Sequence, residues 1–167
     1  MMSVNMGWQK FFDRGQGTNL WNAGIMVGIM LSIIAGTIVS IYISKIYKNE
    51  KIIMISSQLF IGLCLSLTVI FTNSLSLAII FFMFHEFGRG LYRPIKSAYL
   101  QDHLESKKRA TLGSFESMAN NFFGTIGLLM SGLIAQRFNY GTAWVISGII
   151  LVGSIPFLIL KCKKRRT

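Results

Sequence analysis

The sequence predicts an all-α integral membrane protein of about five transmembrane helices, and three observations predict it. Hydrophobic residues make up 52% of the 167-residue chain, a little above the roughly 45–50% of soluble domains. The charged residues gather in short clusters, and the stretches between them are almost free of charge. Five of those stretches reach the about 20 residues that a helix needs to cross a hydrocarbon core of ~30 Å.

The first stretch, 21–44, holds no charged residue, and neither does the second, 52–71. The third, 75–100, begins apolar and becomes polar towards its end; the fourth covers 111–135 and the fifth 142–160. In lipid, only helices and closed barrels satisfy every backbone polar group. These stretches are too long, and alternate too little, for barrel strands. The expected organisation is therefore an extracytoplasmic segment over 1–20, a helical bundle over 21–160 and a basic cytoplasmic tail over 161–167.

The net charge of +11 raises the question of nucleic acid, because basic patches bind phosphates. Here the basic residues sit between and after the apolar stretches, as the positive-inside rule requires of cytoplasmic loops. The expected partner is the lipid bilayer and not a nucleic acid. One side receives Lys45, Lys48, Lys51, Lys107, Lys108, Arg109, Lys161, Lys163, Lys164, Arg165 and Arg166; the other receives only Lys10, Arg14 and Arg137. That asymmetry puts the C-terminus in the cytoplasm and, with five spans, the N-terminus outside a cell membrane. No cleavable signal opens the chain, so a further segment is expected upstream. Cys64 lies in a span and Cys162 in the tail; neither has metal or disulfide spacing, and both are expected as free thiols.

The first span carries Gly24, Gly28, Ser32, Gly36 and Ser40, a small residue at every fourth position. Such a stripe lets helix backbones approach closely, within the bundle or against a partner. The fourth span has a looser version in Gly124, Gly127, Ser131 and Gly132.

Ionisable groups inside a membrane cost about 2.5–3.5 kcal/mol each on insertion scales and are functional candidates. The third span contains His85, Glu86, Arg89 and Arg93. At 1.5 Å per residue, Glu86 lies roughly 16 Å from Leu75, near the midplane. Glu86, Arg89 and Arg93 are spaced by three and seven and share a helix face, with His85 on the neighbouring track. That face should look into the bundle or a water-filled cavity. It reads as an anion-attracting or proton-handling site, or else as a structural Glu86–Arg89 pair that fixes packing. Pro94 removes a donor and crowds the carbonyl of Gly90, so a bend or hinge is expected at Gly90. Glu116, Asn120 and Asn121 place polar groups in the fourth span, either lining a cavity or bridging helices. No enzyme motif of the HExxH, GxSxG or Walker type is present, and with two histidines a histidine-built metal site is not expected. The chain reads as neither an enzyme nor a cofactor protein.

Arg89-Gly-Leu-Tyr-Arg-Pro94, Ser97-Ala-Tyr-Leu100 and Arg109-Ala-Thr-Leu-Gly-Ser114 resemble the tenth helix, the following cytoplasmic loop and the eleventh-helix start of bacterial major facilitator superfamily transporters. Ser131-Gly-Leu-Ile-Ala135 and Gly141-Thr-Ala-Trp144 look like the eleventh-helix end and twelfth-helix start, and Trp8-Gln-Lys-Phe-Phe-Asp-Arg-Gly15 is similar to the outer end of the seventh. The loop Ser44-Lys-Ile-Tyr-Lys-Asn-Glu-Lys51 lacks the aspartate of the family's loop motif. The resemblance implies helices eight to twelve plus a remnant of helix seven, that is, the C-terminal half of a twelve-helix protein that works by alternating access between two halves. It further implies secondary transport of a small-molecule substrate, with drug or metabolite efflux and proton coupling as expectations. On this reading Glu86, Arg89 and Asn120 or Asn121 face the cavity, and the fragment needs an N-terminal half or an oligomeric partner. The alternative is a small membrane assembly protein that packs through the Gly24–Ser40 stripe.

Overall fold

The computed structural model describes residues 2–12, 19–47, 49–103 and 109–156. Within them the chain forms helices α1 (Met2–Phe12), α2 (Asn19–Ile46), α3 (Glu50–Ile70), α4 (Leu75–His103), α5 (Arg109–Arg137) and α6 (Tyr140–Gly153), with a 3₁₀ turn at Phe71–Asn73 between α3 and α4. Residues 1, 13–18, 48, 104–108 and 157–167 lie outside this description. The latter take with them the end of the expected fifth span, the basic tail and Cys162.

The helices solve their polar problems locally. Ser57, Ser66 and Thr68 donate their hydroxyls to the carbonyls four residues earlier, at 2.6–3.0 Å. This lets polar side chains sit in apolar helices without orphaned groups. At the start of α6 the Asn139 carboxamide oxygen accepts from the Thr142 amide at 2.7 Å, satisfying one of the donors that a helix N-terminus leaves open.

α4 is the centre of the bundle, packed between α2 and α3; α3 also packs on α6, and α5 lies against α6 and α1. One core cluster joins Val4, Trp8 and Phe12 of α1 to Ile25, Leu65, Ala78, Phe82 and Trp144. The Trp144 ring stacks on Phe82 with centroids 5.5 Å apart and on Phe11 at 4.2 Å. A smaller cluster of Ile53, Met54 and Ile95 closes the opposite end of the α3–α4 pair. Residues 2–12, read from sequence as part of an extracytoplasmic segment, form a helix with a buried face.

The α2–α4 contact is a backbone contact. A Cβ added at Gly36 would overlap the Phe87 carbonyl oxygen, and one at Gly90 would overlap the backbone of Ile33. Gly28 faces the Met83 sulfur, Ser40 is buried, and Gly24 meets open space. The expected bend at Gly90 falls within an unbroken helical run from Leu75 to His103. Its lost hydrogen bond is replaced from outside: the Thr37 hydroxyl leans to both the Ile33 carbonyl (2.9 Å) and the Gly90 carbonyl (3.3 Å). A neighbouring helix thus supplies the donor that Pro94 lacks.

Among the described residues, three helical stretches are long and apolar enough to cross a membrane: Leu20–Ile46, Glu50–Asn73 and Ala110–Arg137. The sequence expectation was about five. α4 is long enough at 29 residues, but Glu86, Arg89, Arg93, Lys96 and Asp102 make its second half too polar to qualify by composition. α6 is apolar but only 14 residues long as described. The outer surface is oily: Leu31, Ile34, Phe122, Leu129 and Leu133 are all more than half exposed. Soluble monomers rarely expose apolar patches of that extent. The buried set includes Ser40, Gln58, Thr68, His85, Glu86 and Arg89. Large apolar side chains cover the outside while His85, Glu86 and Arg89 are turned inward, the arrangement that a lipid solvent selects.

Candidate functional site

The polar face of α4 is built by helical spacing. His85 and Arg89 fall on the side turned to α3 with Glu86 beside them, and the three are 0%, 5% and 1% exposed respectively. One guanidinium nitrogen of Arg89, Nη1, donates to both Glu86 oxygens, at 2.7 and 2.9 Å. Because both partners sit on one helix at i and i+3, helical spacing brings them within reach of each other. Its burial makes it costly to leave half-formed.

His85 Nδ1 lies 3.2 Å from the Ile61 carbonyl of α3. A carbonyl only accepts, so Nδ1 carries the proton and Nε2 is left as an acceptor. Nε2 has no hydrogen-bond partner among the described residues and lies 3.8 Å from Glu86 Oε1. The Phe82 ring stacks on the imidazole, with centroids 5.9 Å apart. A proton arriving here has two acceptors side by side, an imidazole nitrogen and a carboxylate oxygen, next to a fixed positive charge.

Beyond Arg89 the face opens into a cavity of about 700 Å³ between α3, α4, α5 and α6, lined by Gln58, Ile61, Arg89, Tyr92, Arg93, Lys96, Ser97, Glu116, Ala119, Asn120, Phe123, Gly124 and Leu151. Lys96 reaches across it from α4 to Glu116 of α5 at 2.6 Å. Gln58 donates through Nε2 to the Tyr92 hydroxyl at 3.3 Å, and its Oε1 is buried without a partner among the described residues.

Of the residues singled out from sequence, the structure brings Arg89, Arg93, Glu116 and Asn120 together at this cavity, with Glu86 directly behind Arg89. His85 sits beside Glu86 but lines a separate small gap with Val4, Ile61 and Ser147. Asn121 is turned away: it lines a shallow surface depression with Ser114, Ser117 and Thr125 on another side of α5. Adjacent residues on a helix point about 100° apart, so Asn120 and Asn121 do not share one surface. Sequence reasoning missed Gln58 and Tyr92 as site residues and Thr37 as the partner of the Gly90 carbonyl. Gln58 had a readable signal, a lone amide in the otherwise apolar, uncharged second span.

The family model of the Major Facilitator Superfamily matches residues 25–167. No curated protein and no solved structure matches the chain.

Proposed function

We propose that this chain, which belongs to the major facilitator superfamily, works as the C-terminal part of a secondary active transporter for a small solute, with the polar face of α4 as its working surface. The observation that carries this reading is the continuity of the buried Glu86–Arg89 pair with a cavity large enough for a solute. Ligand sites of about 300–1,000 Å³ are typical for small molecules. A pair that served packing alone would not need to border such a space, since apolar residues of similar volume pack as well or better.

In this reading Glu86 takes up and releases the coupling proton, Arg89 stabilises the carboxylate between visits, and His85 Nε2 is the neighbouring proton acceptor. Arg93, Asn120 and Glu116 meet the solute, and Gly90 and Pro94 let α4 shift against α2 without steric conflict. An N-terminal half or an oligomeric partner completes the pathway, because the family's cavity lies between two halves. Efflux of a drug-like compound or metabolite is the expected direction. The rival reading, an assembly protein docking through Gly24–Ser40, has less support, because Gly28 and Gly36 of that stripe are occupied by α4 of the same chain.

The test is proton-driven flux of a panel of small compounds in membrane vesicles of the native host, with the gene intact or deleted. Deletion should remove the pH-gradient-dependent flux of at least one compound. Identical flux profiles with and without the gene would contradict the transport reading.

A further inference from the structure

The cavity between α3, α4, α5 and α6 is not electrically balanced. Three cationic side chains line it, Arg89, Arg93 and Lys96, against one carboxylate, Glu116. Arg89 is held by Glu86 through both carboxylate oxygens, and Lys96 is held by Glu116. Both pairs are close enough to count as neutralised. Arg93 pairs with no carboxylate among the described residues, so one positive charge is left over. It lies one helical turn from Arg89, where the cavity opens.

The rest of the lining describes the body of the ligand. Ile61, Phe123 and Leu151 give it apolar walls, and Tyr92 with Gln58 gives it a polar corner in which the buried Gln58 Oε1 still lacks a partner. A guanidinium is a planar fork of donors suited to a carboxylate or a phosphate. We propose that this cavity selects organic monoanions: an apolar or aromatic body held against Phe123 and Leu151, with its anionic group on the Arg93 guanidinium. The inference rests on the transport reading for its biological use, but the binding site stands or falls on its own.

The purified full chain in nanodiscs of zwitterionic lipid, titrated calorimetrically with benzoate, benzamide and benzylamine, provides the test. The three probes share a ring and differ in charge. Benzoate should bind at least tenfold more tightly than benzylamine, with benzamide between them. Arg93→Gln should remove that preference while Arg93→Lys retains most of it, each variant being checked as monodisperse and helical. Equal binding of the three probes, no binding of benzoate by well-folded wild-type chain, or an unchanged preference in Arg93→Gln would each overturn the assignment. Should Arg93→Gln fail to fold, Arg93→Glu decides the same question: the preference should reverse, and an unchanged preference would overturn the assignment. A lipid phosphate has the same chemistry as a soluble anion, and discs containing phosphatidylglycerol separate the two. Benzoate binding should persist there, and its loss would reassign the site to a headgroup and overturn the solute class. Charge-selective binding with no host flux would contradict the transport reading and leave this site intact. Flux without charge selectivity would do the reverse.

Discussion

Helices α4 and α5 are the same length, 29 residues each, and they treat their side chains in opposite ways. α4 buries His85, Glu86, Arg89 and Ile95 and approaches α2 backbone to backbone. α5 has no buried residue over 110–137, and its Gly113, Gly127 and Gly132 meet open space. The helix with more ionisable residues along its length is at the centre and the one with fewer is at the edge. In water the order would be reversed. In lipid an apolar side chain is as well placed outside as inside, whereas a charge must turn inward to find a partner. Position in this bundle is therefore set by where the polar groups need to be.

The contrast predicts a ladder of effects. The largest belongs to Glu86→Leu, which leaves the Arg89 charge buried without its carboxylate and should cost about 3–5 kcal/mol of stability. Thermal or denaturant unfolding in detergent would read it. The double variant Glu86→Leu/Arg89→Met should recover most of that loss, since an apolar pair can replace a buried ion pair at little cost. If the single variant costs nothing, the pair is not buried as described here.

Next come the glycines. Gly90→Leu must push into the Ile33 backbone and should cost about 1–3 kcal/mol by overpacking. The matching Gly127→Leu on α5 meets only open space and should stay within about 0.5 kcal/mol. Equal losses at the two sites would erase the distinction between the central and the edge helix.

The expected effect shrinks again at Thr37. Thr37→Val removes the external donor to the Gly90 carbonyl, and membrane hydrogen bonds average about 0.6 kcal/mol. In a Pro94→Ala background the helix regains its own donor, so Thr37→Val should then be close to neutral. The smallest effect is expected across the cavity: Glu116→Gln breaks an ion pair whose members are 38% and 32% exposed. Solvent screens such a pair, and the loss should stay below about 1 kcal/mol.

Much of this was legible before any coordinates. The charge-free runs gave α2 and α3 to within a few residues, since the composition of a lipid-crossing helix has few alternatives. The spacing of Glu86 and Arg89 placed them on one buried face, because helical periodicity and the cost of charge in lipid lead to the same answer, whereas Arg93 on the same track is exposed. Pro94 identified Gly90 as the carbonyl in need, but not Thr37 as the donor. That depends on the register between α2 and α4, which is fixed by two glycines meeting backbone and not by any local pattern. The separation of Asn120 from Asn121 was open for a related reason. Both are polar residues on a mostly apolar helix, and only the position of α4 decides which one faces the cavity. Composition alone obscured the packed helix at 2–12, since Val4, Trp8 and Phe12 recur every fourth residue but an 11-residue segment is too short to read as a span; only the family resemblance implied a helical remnant there.

The measurement that tests the central claim most directly is pH-gradient-driven flux in host vesicles carrying Glu86→Gln in place of the native gene, with the amount of inserted protein determined alongside. An amide keeps the size of the side chain and can still accept from Arg89, but it cannot take up a proton. If the polar face of α4 is the working surface, coupled flux falls to the level of the deletion while the inserted amount stays that of the native protein. Full pH-dependent flux in that variant would contradict the account and reduce Glu86 to a packing residue.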